Sequence, residues 1–185
     1  MVDILDFIHV YVDGLEPNIC QFLINLFDEN VDKHERYDNE GKPNFTQFNL
    51  TENYTMNDDV TSVHTHLIEK TIEYRDIYYQ FIDGRVFPQE HAFEQFRIKK
   101  YNADGIDQFD THVDVIDHPS AKRYLSFTWY LNDVEEGGST IFKDLKIVPK
   151  TGSLLVFPPL WMFPHKGEPP ISNPKYILTT YLHYK

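Results

Sequence analysis

The stretch Phe93–Leu131, FEQFRIKKYNADGIDQFDTHVDVIDHPSAKRYLSFTWYL, decides the fold. Short runs such as Leu125, Phe127 and Trp129 alternate apolar with polar positions between turn-forming residues, the two-residue period of a half-buried strand. Three strands are predicted here, Phe93–Tyr101, Gln108–Val115 and Lys122–Leu131. The pattern continues downstream through Thr140–Val148, Ser153–Phe157 and Tyr176–His183. Gly137-Gly138 and Pro149-Lys150-Thr151-Gly152 supply turns between them.

Upstream the period changes. Val60, Val63, Leu67, Thr71, Tyr74, Tyr78 and Phe81 stand three or four apart, which predicts a long amphipathic helix ended by Gly84. Glu16-Pro17 opens another helix with the stripe Ile19, Phe22, Leu23, Leu26 and Phe27, after a short strand over Leu5–Val12. Glu29–Asp59 is polar and punctuated by Gly41-Lys42-Pro43, with only Phe45–Leu50 alternating, and reads as a mobile flap that closes over a substrate. Helices followed by strands give an α+β class, the strands forming a sandwich or barrel supported by N-terminal helices. One domain over 1–185 is expected, with helical support about 1–92 and a barrel core about 93–185.

Seventeen Lys and Arg against 29 Asp and Glu leave a net charge of −12, the wrong sign for grasping a phosphate backbone or an anionic membrane. Neither is an expected partner. Cys20 is the only cysteine, which excludes an intrachain disulfide and a cysteine metal cluster and fits a reducing compartment. Met1–Val12 lacks the positive flank and cleavage site of an export signal, and no run is long enough to cross a bilayer. The expectation is a cytoplasmic protein.

The chemistry begins at His112-Val113-Asp114. Within a strand, residues two apart share a face, so one metal can meet both side chains. His165 follows the Ser153–Phe157 strand and a proline-rich turn, and can return to the pair from a neighbouring strand. Two His and one carboxylate make a facial triad, which leaves coordination positions on non-haem Fe(II) for co-substrates. Lys175 opens the last strand. Its charge completes a neutral set with Fe(II), Asp114 and doubly charged 2-oxoglutarate, and a low-dielectric pocket tolerates neutral sets far better than charged ones. Two other readings use the same residues: a Zn(II) hydrolase, which gives Lys175 no role, and a non-catalytic module that binds metal and 2-oxoglutarate without turnover. His9, His34, His64, His66, His91 and His118 read as surface or structural residues.

The series Tyr101, His112-Val113-Asp114, Arg123, Tyr130-Leu131-Asn132-Asp133, Gly137-Gly138-Ser139-Thr140, Gly152, Phe157, His165 and Lys175 closely resembles the prolyl 4-hydroxylase branch of the 2-oxoglutarate and Fe(II)-dependent dioxygenases. The resemblance is strong from about Phe93 to the C-terminus and loose over the helices. It implies a double-stranded β-helix, or jelly-roll barrel, with iron on the catalytic residues His112, Asp114 and His165. It also implies 2-oxoglutarate on Lys175 with Tyr101 beside it, and a bound peptide near Arg123 and His183. The co-substrates implied are 2-oxoglutarate and O2, with ascorbate as an admissible reductant, and the substrate a peptide or protein, first of all a peptidyl proline. Ser139 stands where the family often has an acidic residue. No arginine follows His165, so branches that hold 2-oxoglutarate with a late arginine match poorly. Asp114 argues against a halogenase.

Overall fold

The computed structural model describes residues 3–38, 43–81 and 84–185. Its first α-helix, α1 (Pro17–Glu29), places proline at the first helical position, where the missing N–H costs nothing. Cys20, Leu23, Leu26 and Phe27 form its buried stripe. The second, α2 (Asp58–Tyr79), is capped by Asn57, whose Oδ1 accepts from the Val60 amide at 2.9 Å, and carries Asp58 and Asp59 in its first turn, where the helix dipole favours anions. It buries Val60, Val63, Leu67, Thr71, Tyr74 and Tyr78. The helix ends on Gln80, ahead of the expected Gly84. No helix among the described residues is long and apolar enough to cross a membrane.

Twelve strands are described: β1 (His9–Tyr11), β2 (Glu35–Asp38), β3 (Asn44–Asn49), β4 (His91–Phe93), β5 (Arg97–Tyr101), β6 (Phe109–His112), β7 (Arg123–Tyr130), β8 (Thr140–Phe142), β9 (Leu145–Ile147), β10 (Leu154–Phe157), β11 (His165–Gly167) and β12 (Lys175–Tyr184). The larger sheet runs β1-β10-β7-β12-β5-β3-β2, with β4 also on β12, and the smaller runs β6-β11-β8-β9. Every described strand pairing is antiparallel.

Alternation splits the interior in two. One face of the larger sheet presents Leu125, Phe127, Trp129, Tyr176, Leu178 and Leu182 to the buried stripes of both helices. The other face packs Tyr101, Tyr130, Leu155, Phe157 and Ile177 against Phe142 and Ile147 of the smaller sheet. Two facing antiparallel sheets with both helices on the outer side of one are consistent with a double-stranded β-helix. Gly152 joins the layers: its φ is +79°, its carbonyl accepts from the Leu15 amide at 2.9 Å, and an added Cβ would meet the Leu15 carbonyl oxygen at 2.3 Å.

Several expected strands are shortened or divided. Phe93–Tyr101 breaks into β4 and β5, because β4 pairs with the far end of β12, Phe93 opposite Leu182. Thr140–Val148 is the hairpin β8–β9, turned at Lys143 with φ +45°. Leu5–Val12 keeps only β1, after a 3-10 turn over Ile4–Phe7. Gln108–Val115 stops at His112. The stretch expected as a flap also divides. β3 is buried and bonded on both sides in the larger sheet, so it cannot swing freely, whereas β2 is exposed at the edge. Gly41-Lys42 lies outside the described residues.

Candidate active site

His112 ends β6 and His165 begins β11, and the two are direct cross-strand partners with ring centroids 4.3 Å apart. Asp114 lies beyond the last residue of β6. The bend after His112, rather than the strand pleat, turns its carboxylate back. Oδ1 stands 3.5 Å from His112 Nε2 and Oδ2 stands 3.9 Å from His165 Nε2. One ligand atom from each of the three lies within 4.8 Å of the others.

The imidazoles are set for metal binding by what holds their other nitrogens. His112 Nδ1 donates to the Asp110 carbonyl at 2.7 Å and His165 Nδ1 to the Phe163 carbonyl at 3.0 Å. A carbonyl can only accept, so both Nδ1 atoms carry the proton and both Nε2 lone pairs face the shared space. Phe109 stacks on His112 at 3.5 Å, and Phe142 and Phe157 flank His165 at 5.0 and 4.9 Å. Burial keeps His165 below the ordinary imidazole value and therefore neutral, with Asp114 pulling the other way. Burial pushes the Asp114 carboxyl up, but the His112 and His165 imidazoles and Lys99 outweigh it and hold the group below its ordinary value. This donor set of two imidazoles, each presenting Nε2, and one carboxylate suits Fe(II).

Lys175 lies on the sheet facing the triad. It is 3 % exposed, donates to the Gly138 carbonyl at 2.7 Å, and holds its ammonium 5.4 and 5.6 Å from the ring centres of Tyr101 and Tyr130. Tyr101 is its cross-strand partner. Burial lowers the lysine to about 7, with the Glu168 carboxylate pulling the other way. His112, Asp114, His165, Tyr101 and Lys175 all line one inner pocket.

Outside that pocket opens a cleft of about 560 Å³. Arg123 and His183 meet there on Glu94, which sequence reading missed. Arg123 Nε and Nη2 donate to the two Glu94 carboxylate oxygens, each at 2.7 Å, and His183 Nε2 lies 2.7 Å from Glu94 Oε2. Arg123 Nη1 also donates to the Asp114 carbonyl at 2.8 Å, and its guanidinium lies 4.2 Å from the Tyr181 ring centre. Lys99 and Tyr181, also missed, line both the pocket and the cleft. Burial brings Lys99 down to about 8, with Asp114 raising it. The two-residue period back from Tyr101 would have found Lys99.

Two imidazoles and one carboxylate that could together hold one metal ion stand between facing antiparallel sheets, with a buried lysine in the same pocket. Residues 96–183 match the family model of the 2OG-Fe(II) oxygenase superfamily. That span carries the whole constellation, and the chain is a dioxygenase whose metal is Fe(II) and whose co-substrate is 2-oxoglutarate. Among curated proteins none matches the sequence. Among solved structures, a viral collagen prolyl hydroxylase of Paramecium bursaria Chlorella virus 1, in complex with 2OG, is similar with a TM-score of 0.73 and 21 % identity over 97 % of each chain. A Trichoplax adhaerens prolyl hydroxylase in complex with a hypoxia inducible factor peptide fragment has a TM-score of 0.73 and 14 % identity, covering 97 % of this chain and 85 % of that one. A prolyl-4-hydroxylase of Pseudomonas putida has a TM-score of 0.71 and 14 % identity, covering 98 % and 97 %. At these identities the likeness is one of fold.

Proposed function

We propose that the chain hydroxylates a peptidyl proline within a single catalytic domain. The observation that carries this reading is the position of the triad between two unlike spaces. On one side is the inner pocket with its buried lysine, and on the other an open cleft with aromatic walls from Tyr37, Phe45, Phe109 and Tyr181. Aromatic-lined grooves suit proline-bearing extended peptides, whose ring stacks and whose backbone is already stiff. The prolyl hydroxylase structures that share the fold support the same substrate.

In this reading His112, Asp114 and His165 hold the iron, and Lys175 pairs with the distal carboxylate of 2-oxoglutarate with Tyr101 against its stem. When bound, iron and 2-oxoglutarate supply the oxidation, in which one O2 converts 2-oxoglutarate to succinate and CO2 and the substrate C–H to C–OH. The protein orients and excludes water. The Asp110 and Phe163 carbonyls fix the imidazoles, Arg123 holds the Asp114 backbone from behind, and Phe142 and Phe157 dry the inner wall. Arg123 and His183, tied to Glu94, form the polar wall for the peptide.

The test is anaerobic reconstitution with Fe(II), then admission of O2 with 2-oxoglutarate and proline-containing peptides, reading succinate and the mass gain on proline. Wild type is expected to form both products in equal amounts. His112→Ala should form neither, and Lys175→Ala should recover only at high 2-oxoglutarate. Equal turnover in all three, or oxidation confined to another residue, would overturn the reading.

A further inference from the structure

Four cations turn into the interior around the site, and three have partners. Arg97 bonds Glu94 and Gln95, Arg123 bonds Glu94 and the Asp114 carbonyl, and Lys175 bonds the Gly138 carbonyl. Lys99 has neither hydrogen bond nor ion pair among the described residues. Its ammonium lies 5.0 Å from the centre of the Phe45 ring. A partly buried ammonium left this way is costly unless an anion arrives.

The β5–β12 register shows where the anion must come from. Tyr101 lies opposite Lys175, Lys99 opposite Ile177 and Arg97 opposite Thr179, so Lys99 stands one inward position out from the co-substrate lysine. Iron, Asp114, 2-oxoglutarate and Lys175 already balance in charge, and none of them is left over for Lys99. The cleft wall is also positive against a chain of net charge −12: among the described residues, Arg97, Lys99, Lys122 and Arg123 face only Glu94 and Asp117 once Asp114 is on the metal. Low-dielectric walls focus such a local field.

We propose that Lys99 anchors a carboxylate of the substrate, so that the favoured peptide carries an acidic residue within two positions of the one hydroxylated. This rests on the peptide hydroxylase reading above and names its substrate class. The acidic side chain reaches in along β5, pairs with Lys99 beside Phe45, and fixes the register of the peptide over the triad.

The test uses the chain loaded anaerobically with Fe(II) and 2-oxoglutarate, and fluorescent peptides with one proline and either Glu or the isosteric Gln at each neighbouring position. Anisotropy should show the best Glu peptide binding about tenfold tighter than its Gln twin, as expected for one charge-assisted hydrogen bond. Lys99→Met should bring the two together, and Lys99→Glu should favour a Lys peptide instead. Equal binding of the Glu and Gln peptides at every position by wild type would overturn the proposal. So would a Lys99→Met defect that falls on 2-oxoglutarate affinity, which would make this a co-substrate residue. Admitting O2 separates the two readings. Selective binding without hydroxyproline keeps the anchor and sinks the proposed reaction, and hydroxyproline formed equally from both twins does the reverse.

Discussion

Replacing Lys175 by methionine is expected to stabilise the ligand-free chain and to cripple co-substrate binding, opposite effects from one side chain. Burial pulls the ammonium from 10.5 down to about 7. At about 1.4 kcal/mol for each tenfold change in proton affinity, keeping it charged in the folded chain costs on the order of 5 kcal/mol. The folded-state value is the lower one, so this cost is full below about 7 and is relieved as pH rises towards the unfolded value of 10.5. Methionine removes the charge at similar volume but leaves the Gly138 carbonyl without its donor, a loss of about 1–3 kcal/mol. The balance near neutral pH is a gain of about 2–4 kcal/mol, or roughly 4–16 °C in Tm for a chain of this size. In strong alkali the amine is neutral in both states, only the lost hydrogen bond remains, and the variant becomes the less stable form. Removing the proposed buried partner of the 2-oxoglutarate carboxylate costs about 2–5 kcal/mol, so KM for 2-oxoglutarate should rise at least ~30-fold. Thermal melts of metal-free protein at neutral and strongly alkaline pH, beside succinate formation against 2-oxoglutarate concentration, measure both. A variant that melts below wild type at neutral pH, or keeps its KM, refutes the reasoning.

Asp114→Ala removes the proposed anionic ligand, and Fe(II) affinity should fall more than ~100-fold, since even groups behind metal ligands are worth 10–100-fold; metal analysis after desalting decides, and undiminished iron would place the metal elsewhere. Asp107 is fully buried and accepts from Arg36 at 3.1 and 2.6 Å and from the Asn102 backbone and side-chain amides at 2.8 and 2.9 Å. Asp107→Ala leaves the Asn102 amide unsatisfied and should therefore cost about 1–3 kcal/mol in urea unfolding, and a midpoint equal to wild type would show that this tie of β2 to the loop before β6 carries no weight. Gly152→Ala combines a left-handed backbone, worth about 1–2 kcal/mol, with a clash on the Leu15 carbonyl, and a melting temperature like that of wild type would contradict the close approach.

The helices were legible to within a few residues because their stripes repeat over several turns. The grouping of His112, Asp114 and His165 was legible by spacing, but the geometry that brings Asp114 to the two imidazoles was not. The pleat was expected to align it with His112, whereas the strand stops at His112 and a bend does the work. β11 has three residues between Pro164 and Glu168, too few to show a period, so no strand was predicted over His165 itself, although its return beside His112 was expected and cross-strand pairing fixes it there. Glu94 had no local signal at all. Its role comes from Arg123 and His183, 29 and 89 positions away, and only long-range folding brings them together. For Arg123 and His183 themselves, the contact the fold displays is this shared acid.

The fold can hold so many polar groups inside because each strand of the larger sheet divides its work by parity. Along β12, Lys175, Ile177, Thr179, Tyr181 and His183 face the pocket and cleft, while Tyr176, Leu178 and Leu182 face the helices. The helix side supplies apolar burial, and the site side carries the charge. β7 keeps the same rule from Leu125 to Tyr130, but there the rule alone would send Tyr124 into the cleft and Arg123 out of it. The register instead shifts: Leu182 pairs with Leu125 and His183 with Arg123, leaving Tyr124 without a partner. The extra residue lets Tyr124 stay with the helix core, its hydroxyl 3.0 Å from that of Tyr79, while Arg123 turns back to Glu94 and the Asp114 carbonyl. Such an irregularity re-aims a side chain at the rim of a site. Here it joins the helix core to the backbone of a candidate metal ligand through adjacent residues.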